Sequence, residues 1–169
     1  HTLHLHHDKF GGVLNGLDYE MWNPHIDPYI PHHFDEEGFD RKAGNTRVLR
    51  ERLGLASARR PLLAYVGRLD PQKGLHLIRH ALFYALAHDA QFVVLGSGSN
   101  HGINEDFWHL KHMLHDNRDC HLYVGYDEEL AHLIYAGADL LVIPSMFEPC
   151  GLTQMIAMRY GTVPVVRAV

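Results

Sequence analysis

From Pro61 onward, short apolar runs alternate with longer stretches whose apolar residues recur at helical spacing. Leu62–Gly67 (LLAYVG) is an unbroken apolar run of strand length, closed by the polar turn RLDPQKG. Between Gly74 and His88, residues Leu75, Ile78, Leu82 and Leu86, joined by Leu77, Ala81 and Ala85, line one wide face and predict a helix. A strand at Phe92–Leu95 follows, ended by Gly96-Ser97-Gly98-Ser99, then a helix carrying Phe107, Leu110 and Leu114, and a strand at Leu122–Val124. Asp127 and Glu128 open the next helix, where their carboxylates suit its positive end. The pattern closes with a strand at Leu140–Ile143, a helix at Leu152–Tyr160 and a strand at Val163–Val166. Strands that are apolar throughout, rather than alternating, indicate a parallel sheet covered on both faces. The expected fold is therefore α/β, a doubly wound parallel sheet over residues 61–169.

Residues 1–60 differ in texture. They carry a turn at Asn15-Gly16, irregular stretches at Trp22-Asn23-Pro24 and Tyr29-Ile30-Pro31, and a short helix predicted at Thr46–Leu53 and ended by Gly54. They read as a lead-in segment packed on the α/β unit. The chain starts without Met and stops at Val169 directly after an apolar run, so it is expected to be an internal piece of a longer protein.

Composition narrows the function. A chain of 169 residues with 46% apolar residues suits one compact core, and its net charge of −5 offers no global attraction for nucleic acid or an anionic membrane. Any bound anion must be held locally. Two cysteines are too few for a disulfide framework and fit a reducing compartment. No apolar run approaches the roughly 20 residues of a membrane span. Histidine is abundant, 16 in all, and His1, His4, His6 and His7 crowd the start. No carboxylate or cysteine accompanies them at a ligand spacing, so no metal site is expected.

A doubly wound sheet binds ligands at the carboxyl ends of its strands, so the loops there carry the candidate chemistry. Arg68 and Lys73 follow the first strand, with Gly74 opening the helix. Two cations beside a helix amino terminus can hold a pyrophosphate; the plain alternative is two solvated surface charges. The loop Ser145–Gln154 brings Glu148 and the N–H groups of Gly151, Leu152 and Thr153 to the same edge. Glu148 can accept hydrogen bonds from sugar hydroxyls, or act as a partner to the helix dipole. Cys150 has no histidine near it in sequence, which favours an unreactive thiol. Tyr126, past the third strand, could stack on a nucleobase beside Arg68, or pack structurally. Gly96-Ser97-Gly98 has neither the dinucleotide nor the P-loop spacing, which disfavours a nicotinamide oxidoreductase.

Three strings together, NGLDYEMWNP (Asn15–Pro24), GRLDPQKG (Gly67–Gly74) and the run from Gly125 to Arg167 containing FEPCGLTQ, resemble the bacterial glycogen synthases and plant starch synthases. The stretch LTQMIAMRYG is most similar to soluble plant and algal starch synthases of the third to fifth classes. The resemblance implies the carboxyl-terminal, Rossmann-like half of a GT-B glycosyltransferase, truncated here. It implies transfer of glucose from ADP-glucose to the non-reducing end of an α-1,4-glucan with retention, needing no cofactor and no metal. Arg68 and Lys73 then hold the pyrophosphate, Glu148 contacts the transferred glucose and Tyr126 flanks the adenine. Cys150, Gly151, Leu152 and Thr153 lie about the sugar and phosphate, and Asn15 and Asp18 near the domain crossover. The family's amino-terminal domain is an expected partner absent from this sequence, so the piece alone should be inactive. The position eight residues after Glu148, a second Glu in many retaining relatives, is Ile156, as the glycogen and starch synthases have it. A UDP-sugar transferase of the same fold and a non-catalytic nucleotide-sugar or glucan-binding module are the alternatives. The plant-like resemblance implies a plastid location.

Overall fold

The computed structural model describes residues 6, 9, 11–57 and 59–168; His1, His4 and His7 of the histidine-rich start lie outside them. Helix α1 (Lys42–Leu53) precedes an alternation of β1 (Leu62–Val66), α2 (Leu75–Ala87), β2 (Gln91–Gly96), α3 (His101–Met113), β3 (Cys120–Val124), α4 (Glu128–Gly137), β4 (Leu140–Ile143), α5 (Leu152–Arg159) and β5 (Val163–Val166). All five strands are parallel in the order β3-β2-β1-β4-β5. Neighbouring side chains on each strand go to opposite faces, as the period of two requires. Phe92 and Val94 join Ile78, Leu82, Phe107 and Leu110 under α2 and α3. Val93 and Leu95 join Leu49, Leu130, Leu133 and Ile156 under α1, α4 and α5.

Helix α1 starts at Lys42, four residues before the expected Thr46. Its first turn is polar and carries no periodic signal, because tertiary bonds rather than apolar contacts hold it. The buried Lys42 Nζ donates to the carbonyls of Tyr135 and Ala136 at the end of α4, at 3.2 and 3.0 Å, and to Thr162 Oγ1 at 2.9 Å. A cation there also complements the negative end of the helix dipole. Asn45 clamps the lead-in backbone, accepting from His32 N and donating to His32 O.

A second anchor joins the lead-in to α4 and α5. Asp27 and His132 are both fully buried, with Asp27 Oδ2 2.7 Å from His132 Nδ1, and Tyr160 Oη donates to the same oxygen. Trp22 stacks on the His132 ring at 4.1 Å. Burial pushes the Asp27 carboxyl up, but hydrogen bonds from His132, Tyr160 and the Tyr29 backbone outweigh it and hold the group below its ordinary value. One of the sixteen histidines is thus a core residue. No helix among the described residues is long and apolar enough to cross a membrane.

Candidate functional site

The strand order reverses between β1 and β4: β2 and β3 lie to one side, β5 to the other. Loops leaving the carboxyl ends of two such strands diverge and leave a crevice. The helices that follow these two strands share a feature. Asn100 and Asp127 cap α3 and α4, accepting from Ile103 N and Leu130 N. Helices α2 and α5 begin instead on Gly74 and Gly151, at φ of 72° and 77°, with no side-chain cap. Both glycines sit where an L-residue is strained, and a β-carbon at Gly74 would run into the Pro144 carbonyl. Two uncapped helix amino termini therefore open on one crevice, with N–H groups free for an anion.

Lys73 and Glu148 meet across it, Nζ to Oε2 at 2.6 Å, each side chain 19% exposed. Ser145, itself buried, donates to the same Oε2 at 2.9 Å. Burial pushes the Glu148 carboxyl up; hydrogen bonds from Lys73 and Ser145, the charge of Lys73 and the Gly151 backbone N–H outweigh that and hold it below its ordinary value. Gln72 registers the two loops. Its carbonyl accepts from Met146 N at 2.7 Å, and its Nε2 donates to Phe147 O at 3.0 Å. Gln72 and Ser145 were not singled out from sequence, although both lie inside the loops that were; each acts on backbone or on another side chain, which spacing alone does not show.

The structure distributes the remaining candidates around this pair. Arg68 is exposed at the end of β1, its carbonyl tied to Tyr65 Oη at 2.6 Å. Thr153 is half-buried and Leu152 exposed in the first turn of α5. The half-buried Cys150 points its Sγ at the Asn15 carbonyl, 3.6 Å away, which brings the lead-in to the rim. Tyr126 stands 80% exposed beyond β3, and no ring contact joins it to Arg68 among the described residues. Asp18 lies apart, its Oδ1 capping its own turn through Glu20 N and Met21 N. Among the described residues, no three His, Cys, Asp or Glu converge as a metal site.

A family model for glycosyl transferases group 1 matches residues 50–169. Glycogen synthase 2 of Methylococcus capsulatus is 60% identical over 168 residues, covering 99% of this chain and 34% of the relative. Glycogen synthase 1 of Trichormus variabilis is 57% identical over the whole of this chain and 34% of its own length. The catalytic domain of starch synthase IV from Arabidopsis thaliana, bound to ADP and acarbose, matches with a TM-score of 0.94 and 47% identity over 98% of this chain and 34% of that one. The chain thus spans about a third of the length of the relatives it matches. These bacterial and cyanobacterial synthases, more identical to the chain than the plant enzyme, correct the expected plastid location, which rested on a plant-like resemblance alone.

Proposed function

The chain belongs to the group 1 glycosyl transferases, and from that premise we propose that it forms the donor half of a glycogen or starch synthase, transferring glucose from ADP-glucose to an α-1,4-glucan. The observation that carries the reading is the Lys73–Glu148 pair, seated between two uncapped helix amino termini at the switch point. When ADP leaves the glucose, negative charge builds on its distal phosphate. Fixed positive groups there lower the barrier without reorganising. Lys73, Arg68 and the N–H groups of α2 and α5 are such groups, and no metal is needed beside them.

Glu148 has the complementary role. Held ionised by Lys73 and Ser145, it can accept hydrogen bonds from glucose hydroxyls and orient the reacting carbon. Tyr126 offers an exposed aromatic face for adenine, while Cys150, Gly151, Leu152 and Thr153 line the phosphate and sugar side, with Asn15 and Asp18 on the lead-in. The starch synthase structure with ADP and acarbose supports a nucleotide and a glucan ligand for this fold. Calorimetry with ADP on the full-length protein and its Arg68→Ala variant tests the donor assignment. Loss of a charge-assisted bond to phosphate should weaken ADP by about tenfold or more. Equal affinity in the two proteins would remove Arg68 from the site, and tighter binding of UDP than ADP would redirect the reading to a UDP-sugar transferase.

A further inference from the structure

At the opposite edge of the sheet from this crevice lies a cavity of about 680 Å³, between α1, the lead-in and the segment that feeds β1. Its place follows from Arg50, which lines it. Arg50 Nε donates to Gln91 Oε1 at the first residue of β2, and its Nη2 donates to the carbonyl of Arg60, just before β1. Both contacts mark the amino ends of strands, whereas the Lys73–Glu148 pair marks carboxyl ends. The cavity is therefore separate from the donor crevice.

Four guanidinium groups line it: Arg41, Arg47, Arg50 and Arg59. None has a carboxylate partner among the described residues, although Arg52 and Arg60 nearby are both ion-paired. Asp40 and Glu51 are the carboxylates of the lining, which leaves an excess of two positive charges in a chain whose overall charge is −5. Like charges gathered around a concavity repel one another. Arg41, Arg47 and Arg59 are exposed, so solvent screens part of that repulsion, and an anion that bridged them would relieve the rest. Guanidinium forks match phosphate oxygens in pairs, and a phosphate monoester carries about two negative charges at neutral pH, equal to the excess. The volume falls within the range of small-molecule sites. Asp40, Glu51 and the hydroxyl of Ser57 can meet the hydroxyls of the molecule that carries the phosphate.

We propose that this cavity is a second ligand site, which binds a phosphorylated small metabolite of hexose-phosphate size through Arg47, Arg59 and their neighbours. The site is independent of the donor reading, since it shares no residue with that crevice. Calorimetry on the full-length protein at constant ionic strength, with fructose 6-phosphate and inorganic phosphate as probes, tests it. Wild type and Arg68→Ala should bind the probes alike. Arg47→Gln and Arg59→Gln should each weaken binding by about tenfold or more, as expected for a lost bond to a charged group. Arg79→Gln, an exposed arginine on α2, should leave it unchanged and controls for general loss of charge. Circular dichroism of each variant checks that the fold persists, and Arg59→Lys, which keeps the charge but not the fork, should give an intermediate affinity. The proposal is overturned if neither probe binds at millimolar concentration. Loss of affinity in Arg68→Ala, in Arg79→Gln or in neither cavity variant would overturn it equally.

Discussion

At the scale of single residues, Glu148 is the most constrained group in the crevice. Three neighbours, Lys73, Ser145 and the Gly151 backbone, act on one carboxylate, and the sum favours the ionised form despite partial burial. The amide of Glu148→Gln would fill the same space but lose the charge that holds Lys73 Nζ at 2.6 Å. Lys73 would then relax away from the phosphate position. In the proposed reaction, displacing a positioned group by about an ångström costs on the order of a hundredfold. Steady-state assays of the full-length Glu148→Gln protein should therefore give a turnover number lower by about that factor, and a near-normal value would count against its role. Because the carboxyl titrates below its ordinary value of 4.5, the charge it contributes persists down to that pH and is lost only as pH falls through the folded value. An acid limb in the rate profile well above that point has to come from another group.

At the scale of elements, apolar periodicity made the α/β unit legible almost residue by residue: Val163–Val166 and Leu140–Ile143 agree at both ends, and Asp127 caps α4 as its position before the apolar face implies. The polar start of α1 was not legible, since Lys42 pairs with carbonyls more than ninety residues away. The same holds for the Asp27–His132 pair, whose partners are 105 residues apart. At the candidate site, strand-end logic singled out Lys73 and Glu148 as separate candidates. Their direct contact, and the Gln72 bonds that register the loops, depend on β1 lying beside β4, which the chain order does not announce. Burial lowers the Lys42 ammonium from 10.5 to about 8, against the opposing charge of Asp139. Between those values the unfolded chain binds more protons than the folded one, so stability from this group rises with pH. The full effect is up to about 3 kcal/mol. Melting temperatures of wild type and Lys42→Met should therefore diverge between pH 8 and 10, wild type gaining. Tyrosines and Cys120 titrate alike in both proteins and cancel in the difference, so a gap that stays flat would show that Lys42 is not held in this way.

At the scale of the whole molecule, a chain of net charge −5 has to hold any anion by geometry rather than by net charge. The sheet supplies that geometry at its carboxyl edge, where helix termini, Lys73 and Arg68 face outward from a single wall. In the proposed reading every phosphate contact lies within that one wall, so it should bind a nucleotide by itself. Transfer asks for more: the acceptor hydroxyl must be held at the glucose carbon with water excluded, and an effective concentration of that kind needs groups on both sides of the crevice. The chain spans about a third of the length of the glycogen synthases it matches. Residues 1–169 produced alone are accordingly expected to bind ADP, more weakly than the full-length protein, and to release no measurable product from ADP-glucose and a maltooligosaccharide acceptor. Calorimetry and a chain-extension assay on the same preparation check the two halves of this expectation separately. Elongation by the isolated chain would mean that these residues hold the acceptor as well as the donor, and the division of labour proposed for the crevice would have to be abandoned.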